Sequence, residues 1–166
     1  MNLPGCVGIC KSVNEMDKIG DRLLVVYDGY CGLCNGWVRW LLPRDRRDRL
    51  RFVAYQSEKV TELLARHGMD AETLATGAAA AAGPETILAV RDAGGATEFV
   101  LVQSDAVIAV LNELPQPWPA VAATMRFIPR LIRDWGYGLV ARWRYRIWGR
   151  LESCPLPAAE DRSKFL

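Results

Sequence analysis

Five consecutive apolar positions, Leu23 to Tyr27, follow a beginning without period and stop at Asp28-Gly29. A run this short, β-branched at Val25 and Val26, predicts a strand covered on both faces. Beyond it Cys34, Trp37, Val38 and Leu41 fall at the spacing of one helix face, which Pro43 ends. Leu50, Phe52 and Ala54 alternate with Arg51 and Val53 and predict a second strand. Ser57 to His67 predicts a helix with Val60, Leu63 and Leu64 on one face and Ser57 as its N-cap. The alanine-rich stretch 70–83 fits either a helix or a variable connection. Thr86 to Val90 and Phe99 to Val102 then predict two strands, with Asp92-Ala93-Gly94-Gly95 as the hairpin turn between them. Ser104-Asp105 opens a helix through Val107, Ile108, Val110 and Leu111, after which Pro115, Pro117 and Pro119 stop regular structure.

The order βαβα followed by ββα predicts an α/β fold of thioredoxin-like arrangement, a central mixed sheet of about four strands flanked by helices. Residues 1–20 read as an arm, 21–114 as the core, and 115–166 as a C-terminal helical extension and tail packed on it. Ala120 to Leu151 reads as helical, interrupted at Pro129, Gly136 and Gly138. One face carries Val140, Trp143, Ile147 and Leu151; another carries Arg142, Arg146 and Arg150, with Arg144 less cleanly placed. Segment 116–150 holds seven arginines against one acid, Asp134. The ordinary reading packs the apolar stripe on the sheet domain and turns the arginines to water. The rival is peripheral contact with a membrane surface or an acidic partner through residues 120–151.

With 166 residues, 51% of them apolar, the chain is long enough to build one core without disulfides. A net charge of +2 gives no ground to expect nucleic acid as a partner. The five cysteines, Cys6, Cys10, Cys31, Cys34 and Cys154, are an odd number, against a fully paired secreted framework. The opening residues lack the basic start and long apolar segment of a signal peptide. No run of about eighteen apolar residues is present to span a membrane. The expected compartment is therefore reducing, the cytoplasm by default.

Cys31-Gly32-Leu33-Cys34 lies where the first strand turns into a helix. Unpaired N–H groups and the positive end of the helix dipole stabilise a thiolate there. Cys31 is thus the expected nucleophile towards a disulfide, and Cys34, one turn on, the resolving thiol. Half a zinc site is the bland alternative, but no second close pair of finger spacing completes it; Cys6 and Cys10 lie in the arm. Asp28 reads first as the cap of the strand-ending turn and second as a proton acceptor for a thiol, at the cost of raising its pKa. Tyr30 and Trp37 flank the pair as an apolar docking surface or as core.

Val26-Tyr27-Asp28-Gly29-Tyr30-Cys31-Gly32-Leu33-Cys34-Asn35 resembles the opening of the DCC family of predicted thiol-disulfide oxidoreductases, named for its Asp and two Cys. Ser104-Asp105-Ala106-Val107, Tyr145-Arg146-Ile147-Trp148-Gly149-Arg150 and Cys154-Pro155-Leu156-Pro157 extend the likeness over residues 22–166. The resemblance implies a thioredoxin-like fold and dithiol chemistry on protein or small-molecule thiols and disulfides. In thioredoxin-like proteins a cis-proline precedes the third strand beside the dithiol; Pro84 stands near that place, separated from Thr86 by Glu85. The arm with Cys6 and Cys10 and the alanine tract depart from the family pattern.

Cys154 is either a third exchanging thiol or a small apolar group. His67 reads as a helix C-terminal residue, and Arg44 to Arg51 as a solvated loop paired with Asp45 and Asp48. No dinucleotide fingerprint is present, and the expectation is a redox enzyme needing neither metal nor bound cofactor. A binding module that uses the basic Trp/Arg helices, with the dithiol idle, is the competing class.

Overall fold

The computed structural model describes residues 19–69, 86–152 and 157–166. In chain order the elements are β1 (Leu23–Tyr27), α1 (Gly32–Leu41), β2 (Leu50–Ala54), α2 (Glu58–Arg66), β3 (Leu88–Arg91), β4 (Phe99–Val102), α3 (Gln103–Glu113), α4 (Trp118–Phe127) and α5 (Arg130–Trp148). The strands form one sheet in the order β2-β1-β3-β4. β1 and β2 are parallel, β3 runs antiparallel to β1, and β4 antiparallel to β3. This is the mixed thioredoxin-like sheet that the element order predicts.

All five residues of β1 are buried because helices cover both of its faces. Its alternation assigns the two cores. Leu23, Val25 and Tyr27 join Phe52, Val38, Leu41, Ile108 and Leu111 on the side of α1 and α3. Leu24 and Val26 join Val53, Val60, Leu63 and Leu88 on the side of α2. Ser57 occupies the N-cap of α2, but its hydroxyl makes no capping bond there. The alanine tract lies outside the described residues.

The last third of the chain departs from its sequence reading in three ways. Pro117 and Pro119 do not stop regular structure; they head α4, where an N–H is not needed for the first turn. Gly136 and Gly138 do not interrupt α5, which runs unbroken for 19 residues after the break at Pro129. Its inner face is also not the expected one. Gly138, Ala141 and Arg144 are buried, whereas Trp143 and Ile147 are 42% and 63% exposed. Small residues at 138 and 141 let the helix approach, and a buried carboxylate, described below, draws Arg144 inwards.

The tail returns to the sheet. Phe165 pairs with Phe52 at the free edge of β2, and the Leu166 N–H donates to the Phe52 carbonyl at 3.0 Å. The loop before β2 is less solvated than its charges suggest. Asp45 is buried, accepts from the Arg49 and Leu50 amides, and meets Lys164 of the tail at 2.8 Å.

Candidate functional site: a buried dithiol at the head of the first helix

Asp28-Gly29-Tyr30 turns the chain from β1 into α1. The Cys31 N–H donates to the Asp28 carbonyl at 3.2 Å, and Asp28 Oδ1 accepts from the Tyr30 N–H at 2.9 Å. Asn35 ties the turn to the helix, donating to the carbonyls of Gly29 (2.8 Å) and Cys31 (3.0 Å). Cys31 is thereby held as the N-cap of α1, and its Sγ accepts from the Cys34 N–H at 3.4 Å. The sulfur thus takes the place of the usual Ser or Asp oxygen, satisfying an otherwise orphan donor.

The two thiols are pushed apart in acidity. Cys31 falls from 9.0 to about 6: a hydrogen bond from the Cys34 thiol is the main cause, opposed by burial and helped by the Cys34 amide and the Arg144 charge. Cys34 is driven well above its ordinary value, because its proton is held on Cys31, because it is buried, and because a Cys31 thiolate repels a second charge. The pair shares one proton, with the negative charge favoured on the N-terminal sulfur.

A polar cluster backs the dithiol. The Asp28 side chain is fully buried, and its oxygens are engaged by the Tyr30 amide, by Gln56 Nε2 at 3.1 Å, by the Tyr145 hydroxyl and by Arg144 Nη2 at 3.8 Å. It is the cap of the turn and at the same time the counter-ion of a buried arginine. Arg144 is held charged above its usual range: burial opposes the charge, but Tyr145, Cys34, Asp28 and Cys31 outweigh it. Arg144 and Tyr145 were not among the residues singled out for chemistry. Their signal was present in the sequence, since Arg144 breaks the spacing of Arg142, Arg146 and Arg150, and Tyr145 begins the closing motif.

The chain from 149 to 151 closes over the head of α1. The Gly32 N–H donates to the Gly149 carbonyl at 3.3 Å and the Leu151 N–H to the Tyr30 carbonyl at 2.8 Å, two bonds that pair Cys31 with Arg150 as an antiparallel bridge. Beneath this strap Cys31 is 0% exposed. Cys34 instead lines an apolar cavity of about 400 Å³ between α1, α3, α4 and α5, with Leu33, Trp37, Val107, Met125 and Tyr137 in its walls. The Tyr137 hydroxyl closes its sheet side, bonded to Thr86 and to the Ile87 N–H at 3.0 Å each. Trp37 is therefore a cavity wall, and Tyr30 stands outside beside the Arg150 guanidinium. His67 pairs with Glu98 of the β3–β4 hairpin at 2.8 Å. Pro84, Cys154, Cys6 and Cys10 lie outside the described residues. Among the described residues no group of three His, Cys, Asp or Glu side chains forms a metal-binding set.

A family model described as DCC1-like thiol-disulfide oxidoreductase matches residues 25–150. A chloroplastic DCC family protein of Arabidopsis thaliana is 32% identical over 142 residues, covering 86% of this chain and 72% of its own. The uncharacterised protein YuxK of Bacillus subtilis is 28% identical over 150 residues, covering 90% of this chain and 97% of its own. No solved structure matches the chain.

Proposed function

This chain belongs to the DCC1-like thiol-disulfide oxidoreductases, and from that membership we propose that Cys31 and Cys34 are its exchanging dithiol, Cys31 as nucleophile and Cys34 as resolving thiol. One observation carries the reading: Cys31 Sγ sits at the N-cap of α1 and accepts from the Cys34 amide, where a thiolate is stabilised by the helix and by its neighbour's proton.

The Cys31 thiolate attacks one sulfur of a disulfide R–S–S–R′, forming a mixed disulfide and expelling R′S⁻. Cys34, deprotonated once Cys31 no longer holds a charge against it, attacks the Cys31 sulfur. A Cys31–Cys34 disulfide forms, RS⁻ leaves, and the one proton of the pair, given up by Cys34, passes to solvent or to a departing thiolate. The substrate gains two electrons and the dithiol loses them; a second thiol restores it. Because Cys31 lies under residues 149–151, the two backbone hydrogen bonds of that strap open before the attack. Protein or small-molecule disulfides are the substrate class, and a reducing compartment such as the cytoplasm suits the dithiol form.

A Cys34→Ser chain tests this directly. It should accumulate mixed disulfides on Cys31 that a reductant releases, and in the unaltered chain iodoacetamide should modify Cys31 with a midpoint near pH 6. A Cys31 that alkylates only above about pH 8, like a free thiol, and that traps nothing would remove the assignment.

A further inference from the structure

The outer face of α5 is apolar where a surface helix is ordinarily polar. Leu131, Trp135, Leu139, Trp143 and Ile147 recur at every fourth residue and are 86, 71, 48, 42 and 63% exposed; Phe127, at the end of α4, is 87% exposed. Soluble monomers seldom leave so continuous an apolar strip uncovered. Arg142 and Arg146 emerge on the same face, the latter with its guanidinium 5.4 Å from the Trp143 ring centre. The nearby acids are engaged elsewhere: Asp105 and Asp134 hold Arg130, Asp105 also holds Arg133, and Asp28 holds Arg144. The strip is therefore both greasy and positive.

We propose that this face docks the protein on an anionic lipid bilayer, with α5 lying in the plane of the headgroups. Charge selects the occupant. A second copy placed face to face would bring together two positive strips, neither of which carries an acid to pair with Arg142 or Arg146 of the other, so nothing offsets their charge. Stacked bases would find Trp135 and Trp143, but the strand between them would meet Leu139 rather than a line of phosphate-binding cations. An anionic bilayer matches every component. Tryptophans settle at headgroup depth, leucine and isoleucine enter the acyl boundary, and the arginine stems lie along the apolar strip while their heads reach phosphate. No described helix is long and apolar enough to cross a membrane, and the arginines on the exposed face hold this one at the surface. The buried face already fixes the helix on the core, so docking orders little new backbone.

Sedimentation of the full chain with vesicles tests the proposal. Vesicles of phosphatidylcholine with phosphatidylglycerol should carry the protein down, with a blue shift of tryptophan emission and a loss of binding as salt is raised. Pure phosphatidylcholine vesicles should leave it in solution. The Arg142→Gln, Arg146→Gln double variant should bind about thirtyfold more weakly, and Leu131→Ser with Trp135→Ser should lose the blue shift. Circular dichroism unchanged in both variants excludes misfolding as the cause. Cys31→Ser, which removes the nucleophile of the proposed exchange, should bind as the unaltered chain does, so the two proposals fail separately. Absence of binding to the anionic vesicles, equal binding to both compositions, or a concentration-dependent dimer that protects Trp135 from quenching would each overturn the bilayer assignment.

Discussion

The two faces of α5 invert the usual rule. The face turned to the core carries a charge and two phenols: Arg144 reaches Asp28, Tyr145 donates to the same carboxylate, and the Tyr137 hydroxyl meets the backbone of Ile87. The face turned to water carries Leu131, Trp135, Leu139, Trp143 and Ile147. Polarity on the inside is tolerable because each buried group has a partner. Amphipathicity therefore gives the orientation of a helix only when what lies beneath it is apolar. Here what lies beneath is the carboxylate that caps the dithiol turn.

Removing Arg144 should produce the largest effect. Arg144→Met leaves the Asp28 carboxylate buried without its cation and should cost about 3–5 kcal/mol, measured as a fall in the urea midpoint. It should also raise the Cys31 pKa, since the guanidinium charge favours the thiolate. Arg142→Met, one turn-fraction away on the exposed face, should stay within about 0.5 kcal/mol. Adding Asp28→Asn to Arg144→Met should recover part of the loss, because the stranded charge is gone. Equal effects of the two arginine substitutions would abolish the distinction between the faces.

Gly32→Ala probes the seal that the end of α5 places on the site. A Cβ at residue 32 would sit 2.3 Å from the Trp148 carbonyl oxygen, which is backbone and cannot rotate away. The strap must shift, at a cost of about 1–3 kcal/mol. The iodoacetamide reaction of Cys31 at pH 7 should quicken as its cover is displaced. A variant as stable and as slow to alkylate as the unaltered chain would show that residues 148–151 do not lie against Gly32.

Much of this architecture was legible in the sequence. Continuous burial made β1 readable as a central strand, and the spacing from Cys34 to Leu41 located α1 because its partners are apolar. The place of Cys31 and Cys34 at the head of α1 was legible for the same reason, since a short apolar strand there runs into a helix. Three features were not readable. The prolines at 117 and 119 look identical whether they end a segment or start one. Arg144 is selected by a carboxylate 116 positions away in the chain, and no periodicity encodes that partner. The burial of Cys31 depends on backbone bonds from Gly149 and Leu151, which carry no side-chain signature at all.

Cys34→Ala should shift an equilibrium more than a fold. The Cys34 thiol is the chief donor to the Cys31 sulfur, so its loss raises the Cys31 pKa from about 6 towards the free value. Each unit corresponds to about 1.4 kcal/mol between the two protonation states. The sign for stability follows. A thiol whose pKa is lowered on folding stabilises the native state above its unfolded value of 9.0, and that contribution is lost as pH falls through about 6. In Cys34→Ala that contribution should be smaller and exhausted at a higher pH, and the alkylation midpoint should shift upwards. An unchanged midpoint would transfer the acidity of Cys31 from its neighbour to the helix terminus and Arg144.

The smallest effect should come from the face with the most apolar surface. Leu131→Gln and Trp135→Gln remove side chains that are 86% and 71% exposed, so little burial is lost on substitution and no cavity forms. Each should change the unfolding free energy by no more than about 0.5 kcal/mol, whereas a buried leucine such as Leu41 changed to Ala should cost about 2–5 kcal/mol. Measured in dilute solution without lipid, this pairing separates two meanings of an apolar residue. Leu41 holds the protein together, and Leu131 is kept for something outside it. A loss at Leu131 approaching that at Leu41 would mean that the outer face is covered in solution, and the contrast between the two sides of the helix would fall with it.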